Sequence, residues 1–143
     1  MCHIVCFAQL KPTAEPRRVP YVLQYEGMAM PVHTELIRGA GPVAVLQLLA
    51  EREMYGYELV SALDERTSGV LALGQSTLYP MLYHLDAKGL IRGRWRKAQT
   101  GRRRKYYRLT PAGASALQQH RSDWRDLFGA MHEIGLLGAG GET

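Results

Sequence analysis

Hydrophobic residues recur with a helical period in three stretches near the middle of the chain. The first stretch begins at Pro42, a residue that suits the first turn of a helix, and continues to Glu53. The second covers residues 57–66 and the third covers residues 76–88, where Gly89 follows as a C-terminal cap. The pattern predicts three short consecutive helices.

The period changes to two after the third helix. Ile91 and Trp95 alternate with arginines, and Tyr107 and Leu109 alternate with polar residues in a second run. Gly101 lies in the connection between the two runs. The alternation predicts a β-hairpin with a long basic tip. It favours a core position for Trp95, with stacking on a nucleic-acid base as the alternative.

A last helix is predicted from Thr110 to about Leu137, because a hydroxyl N-cap followed by Pro111 is a strong start signal. The order helix, helix, helix, hairpin, helix is that of a winged helix-turn-helix protein. The predicted fold class is therefore mainly α with a small β-hairpin, a winged helix-turn-helix plus a C-terminal dimerisation helix. The predicted parts are a flexible N-terminal arm (1–33), a DNA-binding domain (34–110), the dimerisation helix (111–137) and a frayed tail (138–143).

The arm holds four prolines and no sustained period, which favours a loose segment. Met28 and Met30 stand just before the first periodic segment, so a true translation start at either of them is an alternative.

Apolar residues of the last helix form one stripe that the winged-helix core does not need. We call this set the apolar stripe: Leu117, Trp124, Leu127, Phe128, Met131 and Ile134. Pairing with the same stripe of a second copy would bury it in a two-fold interface. The alternative is that the helix folds back on the first helix of its own chain.

The basic residues of this 143-residue chain are concentrated in one segment. Ten bases and no acid lie between Lys88 and Arg108, which leaves 8 of the 18 bases for the rest of the chain, against all 13 acids. Such a patch usually meets a polyanion, and a solvated basic loop is the plainer alternative. At the hairpin tip, four bases are placed to reach phosphates or a minor groove: Arg102, Arg103, Arg104 and Lys105.

The outer face of the third helix has an unusual composition for a solvated surface. Leu78, Met81, Leu82 and Leu85 form its core side, and no acid precedes Asp86. The outer side carries hydroxyls, aromatic rings and a proline, and we call these five residues the recognition edge: Ser76, Thr77, Tyr79, Pro80 and Tyr83. The edge is suited to base edges and phosphates in a major groove. For Tyr79 the alternative is packing across the hairpin.

Three segments together resemble the PadR family of transcriptional regulators: YGYELVSAL, GQSTLYPMLYHLDAKGLI, and TGRRRKYYRLTPAGASAL with the stretch from Trp95 that precedes it. The resemblance covers roughly residues 34–120, and it implies a homodimeric, usually repressing protein that binds a pseudo-palindromic operator in double-stranded DNA. It implies that the TLYP helix is the recognition helix and GRRRKYY the wing. The residues to which it assigns DNA contact are Tyr57, Ser76, Thr77, Tyr79, Pro80, Arg102, Arg103 and Lys105.

The resemblance also implies a small aromatic effector near the dimer interface, for which Trp124 and Phe128 are the candidates, with plain interface packing as the alternative. The chain departs from the family pattern at Gly41-Pro42, which suggests that its first helix starts later.

Other functional classes receive less support from the sequence. His84 and His120 have no triad partners, paired carboxylates or phosphate loop around them, so no enzyme and no cofactor are predicted. Cys2, His3 and Cys6 have only His33 as a fourth ligand, so no metal site is predicted. A membrane span and an export signal are not predicted either, and a cytoplasmic location is expected. The rival to a DNA-binding regulator is a winged-helix module that binds protein or RNA without operator specificity.

Overall fold

Four helices and three strands are formed by residues 34–138, the part of the chain that the computed structural model describes. In chain order they are α1 (Thr34–Glu51), β1 (Met54–Tyr55), α2 (Gly56–Arg66), α3 (Gln75–Ala87), β2 (Ile91–Lys97), β3 (Arg103–Leu109) and α4 (Pro111–Glu133). The predicted order of three helices, a hairpin and a fourth helix is confirmed. The predicted arm, residues 1–33, lies outside the described residues.

Helix α1 begins at Thr34 and passes through Pro42, so the predicted start at Pro42 is wrong. Proline at this position removes one backbone hydrogen bond from the helix interior. Packing supports the helix on the N-terminal side of the proline: Ile37 packs against the core, and Gly41 is buried. A Cβ on Gly41 would lie 2.6 Å from the Met81 Cε atom, so this glycine leaves room for a side chain of α3.

The strands form one antiparallel sheet in the order β1-β3-β2. β2 and β3 are the predicted hairpin, which pairs Ile91 with Leu109, and together with their connection they are called the wing below. β1 pairs Met54 with Tyr107 and was not predicted, because two residues are too few to show an alternating pattern.

The hydrophobic core joins all four helices to the base of the sheet. In α3, the predicted inward residues Leu78, Leu82 and Leu85 are buried, and Met81 packs against them from the margin. The residues of the core with the least exposure, all below 2%, are Val45, Leu46, Leu59, Leu63, Leu78, Leu82 and Ile91. Because α3 buries one side completely, its other side has to face outward.

Trp95 is 59% exposed, so the prediction that it belongs to the core is wrong. It has the same alternation parity in β2 as Ile91, which is fully buried. A groove separates the wing from α3 at this point, so the inward side of the strand is no longer covered. Alternation therefore identified the side of the strand correctly but could not tell where its cover ends.

Helix α4 ends at Glu133, four residues before the predicted end at Leu137. Gly135 adopts a φ of 83°, and the Leu136 N–H donates to the Met131 carbonyl at 3.0 Å. This is the Schellman arrangement that a glycine after a helix favours. Gly89 acts in the same way after α3, as the sequence predicts. Ile134 is the residue that caps α4.

Thr110 joins the end of α3 to the start of α4. Its hydroxyl accepts a hydrogen bond from the Gly113 N–H at 3.0 Å and donates one to the Gly89 carbonyl at 2.6 Å. The predicted N-cap is therefore confirmed, and it also joins the start of α4 to the end of α3. None of the helices within residues 34–138 combines the length and the apolar character that crossing a membrane requires.

Candidate nucleic-acid interface

The recognition edge lies open on the surface of α3. Ser76, Thr77 and Pro80 are exposed, and Tyr83 is 73% exposed. The backbone at the start of the helix is held by Gly74, whose carbonyl accepts from the N–H groups of Thr77 and Leu78. Pro80 comes just after the first turn, as predicted, and has no N–H to donate to the Ser76 carbonyl. The start of α3 thus presents short polar side chains on a stiffened backbone.

Tyr79 packs against the protein and is nevertheless 46% exposed. Its ring lies over Gly56 at the start of α2, where an added Cβ would be 2.6 Å from the tyrosine oxygen. A glycine is therefore needed at position 56 for the ring to lie there. The sequence left two alternatives for Tyr79, exposure on the recognition edge and packing across the hairpin. The side chain is partly exposed and partly packed, and the residue it packs on is in α2.

A groove of about 370 Å³ separates α3 from the wing. Its lining residues come from α2, α3 and all three strands: Tyr55, Gly56, Tyr79, Trp95, Arg103, Arg104, Lys105 and Tyr107. A neighbouring hollow of about 520 Å³ adds Tyr57, Gln75 and Arg102. Tyr57 is itself 59% exposed. The fold therefore brings the start of α2, the recognition edge and the wing tip to one surface.

Aromatic rings support several wing arginines. The Arg96 guanidinium lies 3.9 Å from the centre of the Tyr106 ring, and the Arg104 guanidinium lies 4.3 Å from that of Tyr55. Arg103 approaches the Trp95 ring more loosely, at 5.9 Å. Stacking of this kind is attractive and restricts the direction of the guanidinium. The arginines are evident from the sequence, but their ring partners depend on strand pairing.

The four bases predicted at the wing tip differ in how exposed their side chains are. Arg102 and Arg103 are exposed, whereas Arg104 and Lys105 are half-buried. Arg104 is covered partly by Tyr55. Lys105 lies 3.9 Å from an Asp86 carboxylate oxygen. The predicted set is therefore close together in space, but its members are not equally free to meet a ligand.

Acidic side chains from outside the basic segment lie next to three of its ten bases. Asp86 is 3.5 Å from Arg92 and 3.9 Å from Lys105, and Glu53 is 3.3 Å from Arg96. Because both acids precede the segment in the chain, these pairings do not follow from the sequence of the segment.

Tyr107 lies at the floor of the groove and is 6% exposed. Burial raises the pKa of its phenol above the ordinary value, and the nearby Tyr79 and Asp86 groups raise it further because a second negative charge is disfavoured beside them. Tyr107 therefore stays neutral at the floor of the groove.

The first half of α4 folds back on α1, which is the alternative reading of the apolar stripe. Leu117 is 3% exposed and belongs to the core of the single chain, so it has no surface to offer a second copy. Arg121 donates to the Gln47 side-chain oxygen at 2.6 and 3.2 Å. Trp124, which is half-buried, lines an apolar hollow of about 250 Å³ between the two helices.

The second half of the apolar stripe remains on the surface. Leu127 is 44% exposed, Phe128 52% and Ile134 77%, and Met131 is half-buried. The Trp124 and Phe128 rings lie 5.3 Å apart between centres, so the hollow and the exposed half of the stripe are continuous. The predicted dimerisation and effector residues other than Leu117 therefore form one apolar surface.

The residues considered for a metal site, Cys2, His3, Cys6 and His33, lie outside the described residues.

Residues 45–119 match a family described as transcriptional regulator PadR-like. A transcriptional regulator of Mycobacterium tuberculosis is 36% identical over 93 residues, which cover 65% of this chain and 83% of the relative.

Solved structures of similar fold agree with this match. A transcriptional regulator from Clostridium thermocellum has a TM-score of 0.66 and 28% identity, with 71% of this chain and 99% of that chain covered. Bacillus subtilis PadR in complex with operator DNA has a TM-score of 0.52 and 30% identity, with 56% of this chain and 45% of that chain covered. The prediction of a winged-helix fold is confirmed.

Proposed function

The chain belongs to the PadR-like family of transcriptional regulators, and from this premise we propose that it is a homodimeric repressor. In this proposal it binds a pseudo-palindromic operator and is released by a small aromatic effector. The observation that carries the proposal is the exposed recognition edge beside an arginine-tipped wing. A family of regulators also agrees with the expectation that the chain is not an enzyme.

The recognition edge is proposed to enter the major groove with the start of α3 leading. Ser76 and Thr77, both exposed, can donate to or accept from base edges, where sequence is read. Tyr79 and Tyr83 can reach phosphates through their hydroxyls while their rings cover sugar atoms or thymine methyl groups. Pro80 limits the freedom that the helix start would lose on binding.

The wing tip and the start of α2 are proposed to hold the phosphate backbone. Arg102 and Arg103 are exposed at the tip, and Arg104 and Lys105 follow them on β3. Tyr57 extends the same surface from the start of α2. Contacts of this kind fix position on the duplex and make affinity depend on salt, but they do not read sequence.

Dimerisation is proposed to bury the exposed half of the apolar stripe. Leu127, Phe128, Met131 and Ile134 would meet the same residues of a second copy around a two-fold axis. Two recognition edges related by that axis fit two half-sites about one helical turn apart.

Effector binding is proposed at the apolar hollow beside Trp124. Its volume of about 250 Å³ suits a small aromatic molecule, and it is continuous with Phe128 of the proposed dimer surface. A ligand there would change the packing of α4 and thus the spacing of the two recognition edges.

Fluorescence anisotropy with the promoter DNA of the chain's own gene and with shuffled duplexes tests the proposal. Ser76→Ala and Tyr79→Ala should reduce the preference for promoter DNA over shuffled DNA. Arg103→Ala should weaken binding to all duplexes and lower the slope of log affinity against log salt by about 0.9. Arg125→Ala removes an exposed base from α4 and is the matched control for Arg103→Ala, so it should change neither the affinity nor the salt slope.

Equal binding of promoter and shuffled DNA by the unaltered protein would contradict the proposal. Tight binding of RNA or of a protein at high salt, with no preference among duplexes, would favour the interaction module instead.

A further inference from the structure

Asp86 is the one acid in α3 and lies beside two bases of the wing. Its carboxylate oxygens are 3.5 Å from an Arg92 nitrogen and 3.9 Å from the Lys105 ammonium. The Asp86 side chain is only 23% exposed, whereas that of Arg92 is 60% exposed. The cluster lies against Tyr83 of the recognition edge, with which it lines a hollow of about 380 Å³. The acid is therefore part of the surface proposed to meet DNA.

The Lys105 side chain can lie across β2 because Gly93 has no side chain. Its stem crosses β2 above Gly93, where an added Cβ would collide with the Lys105 Cε atom and approach the ammonium to 3.1 Å. The ammonium also lies 5.4 Å from the centre of the Tyr107 ring. Lys105 is thus directed along the inside of the wing toward the end of α3. The glycine, the ring and the carboxylate together hold it there.

We propose that Asp86 competes with DNA phosphates for Lys105 and Arg92, and so limits the affinity of the protein for DNA other than its operator. This inference rests on the proposed function. Partly exposed ion pairs are weak, so a closely docked phosphate can replace the carboxylate. A loosely bound duplex brings no phosphate close enough to do so, and the two bases then stay with Asp86. The acid is a positioning residue that acts through Lys105 and Arg92.

The test compares unaltered protein with Asp86→Asn on operator and shuffled duplexes over a range of salt concentrations. For shuffled DNA the variant should bind more tightly at low salt, with a salt slope steeper by up to about 1.8, since two phosphate contacts contribute about 0.9 each. Its advantage should then shrink about tenfold between about 50 and 200 mM salt. The gain for the operator should be smaller, so that discrimination falls. A merely structural role would weaken binding and flatten the slope instead.

Two further variants control this comparison. Glu51→Gln removes the same charge from an ion pair with Arg66, at 2.7 Å between α1 and α2, and should leave the salt slope unchanged. Adding Lys105→Gln to Asp86→Asn should remove about half of the gain in slope, because one of the two released bases is then missing. Circular dichroism establishes that each variant is folded, and Asp86→Ser replaces the asparagine variant if that one is not.

The inference is overturned if Asp86→Asn leaves the slope on shuffled DNA unchanged or lowers it, or if operator and shuffled affinity rise equally. The proposed function fails separately, if the unaltered protein does not prefer its operator at any salt concentration.

Discussion

At the residue scale, Gly113 allows the first turn of α4 to lie directly against the backbone of Leu90, which follows α3. A Cβ at this position would overlap the Leu90 carbonyl oxygen and lie 2.8 Å from the Leu109 Cδ1 atom. Backbone cannot move aside as a flexible side chain can. The Thr110 N-cap fixes the approach further, because its backbone N–H donates to that same carbonyl at 3.1 Å. One missing methyl group thus determines how α4 is attached to the winged-helix core.

We expect Gly113→Ala to lower the free energy of unfolding by about 3 kcal/mol, the upper range for overpacking, because the clash is with backbone. Urea denaturation measures this. Gly129→Ala in the same helix is the matched control: an added Cβ meets nothing within 4 Å there, and helix propensity should raise stability by about 1 kcal/mol. Equal effects at the two positions would contradict the close approach at Gly113.

We expect the free energy of unfolding to fall at alkaline pH because of Tyr107. Its raised pKa means that the folded protein holds the phenolic proton more tightly than the unfolded chain, whose pKa is near the ordinary 10.0. Its contribution is therefore fully present below pH 10.0 and is lost as pH rises through the folded pKa. The measurement is the free energy of unfolding of the unaltered protein and of Tyr107→Phe, from neutral to alkaline pH. The difference in this free energy between the two proteins should narrow as the pH rises. A constant difference would contradict the assignment.

At the element scale, α1 depends on packing more than on its own sequence. Glycine and proline lie side by side at positions 41 and 42, and both are poor residues for a helix interior. The helix extends to their N-terminal side because Ile37 packs against the core and Gly41 makes room for Met81 of α3. Packing against the core thus offsets a local preference for starting the helix at the proline.

Pro42→Ala should therefore raise the free energy of unfolding, by at most about 3 kcal/mol, the propensity difference between the two residues in a helix interior. The variant restores an N–H that can donate to the carbonyl four residues earlier, at Arg38. Urea denaturation and helical content by circular dichroism check both effects. A loss of stability would contradict the view that Pro42 is unfavourable to the helix and is offset by packing.

At the scale of the whole molecule, α4 divides into two halves with different roles. The first half completes the core through Leu117 and is tied to α1 by the Arg121–Gln47 hydrogen bonds. In the second half, Leu127 and Phe128 are exposed to solvent. Large exposed apolar side chains in one strip are characteristic of interaction surfaces. One helix thus connects the DNA-binding domain to the surface proposed for a second copy.

Phe128→Glu should convert the proposed dimer into a monomer, because it would bury a charge at a two-fold interface twice over. Sedimentation at several protein concentrations measures this, and the loss of dimer should lower affinity for a two-half-site operator more than for one half-site. Gln118→Glu adds the same charge to an exposed position away from the stripe and should leave the mass unchanged. A monomeric unaltered protein would contradict the dimer.

The amino-acid sequence by itself determined the features that depend on near neighbours in the chain. The helical period predicted α2 and α3 within one residue at each end, and alternation predicted the hairpin. Gly89 and Thr110 were predicted as caps, because capping depends on the conformation of a few consecutive residues. The recognition edge followed from the same periodicity, since burying one side of α3 exposes the other.

Only the tertiary structure decided the features that depend on residues distant in the chain. Trp95 is exposed because a groove separates it from α3, and Leu117 is buried because α1 covers it. The pairing of Asp86 with Lys105 requires β2 to lie beside α3, with Gly93 leaving room for the Lys105 stem to cross from β3. Periodicity specifies which side of an element faces inward, but cover and charge partners come from other elements, whose positions are fixed by packing of the whole core.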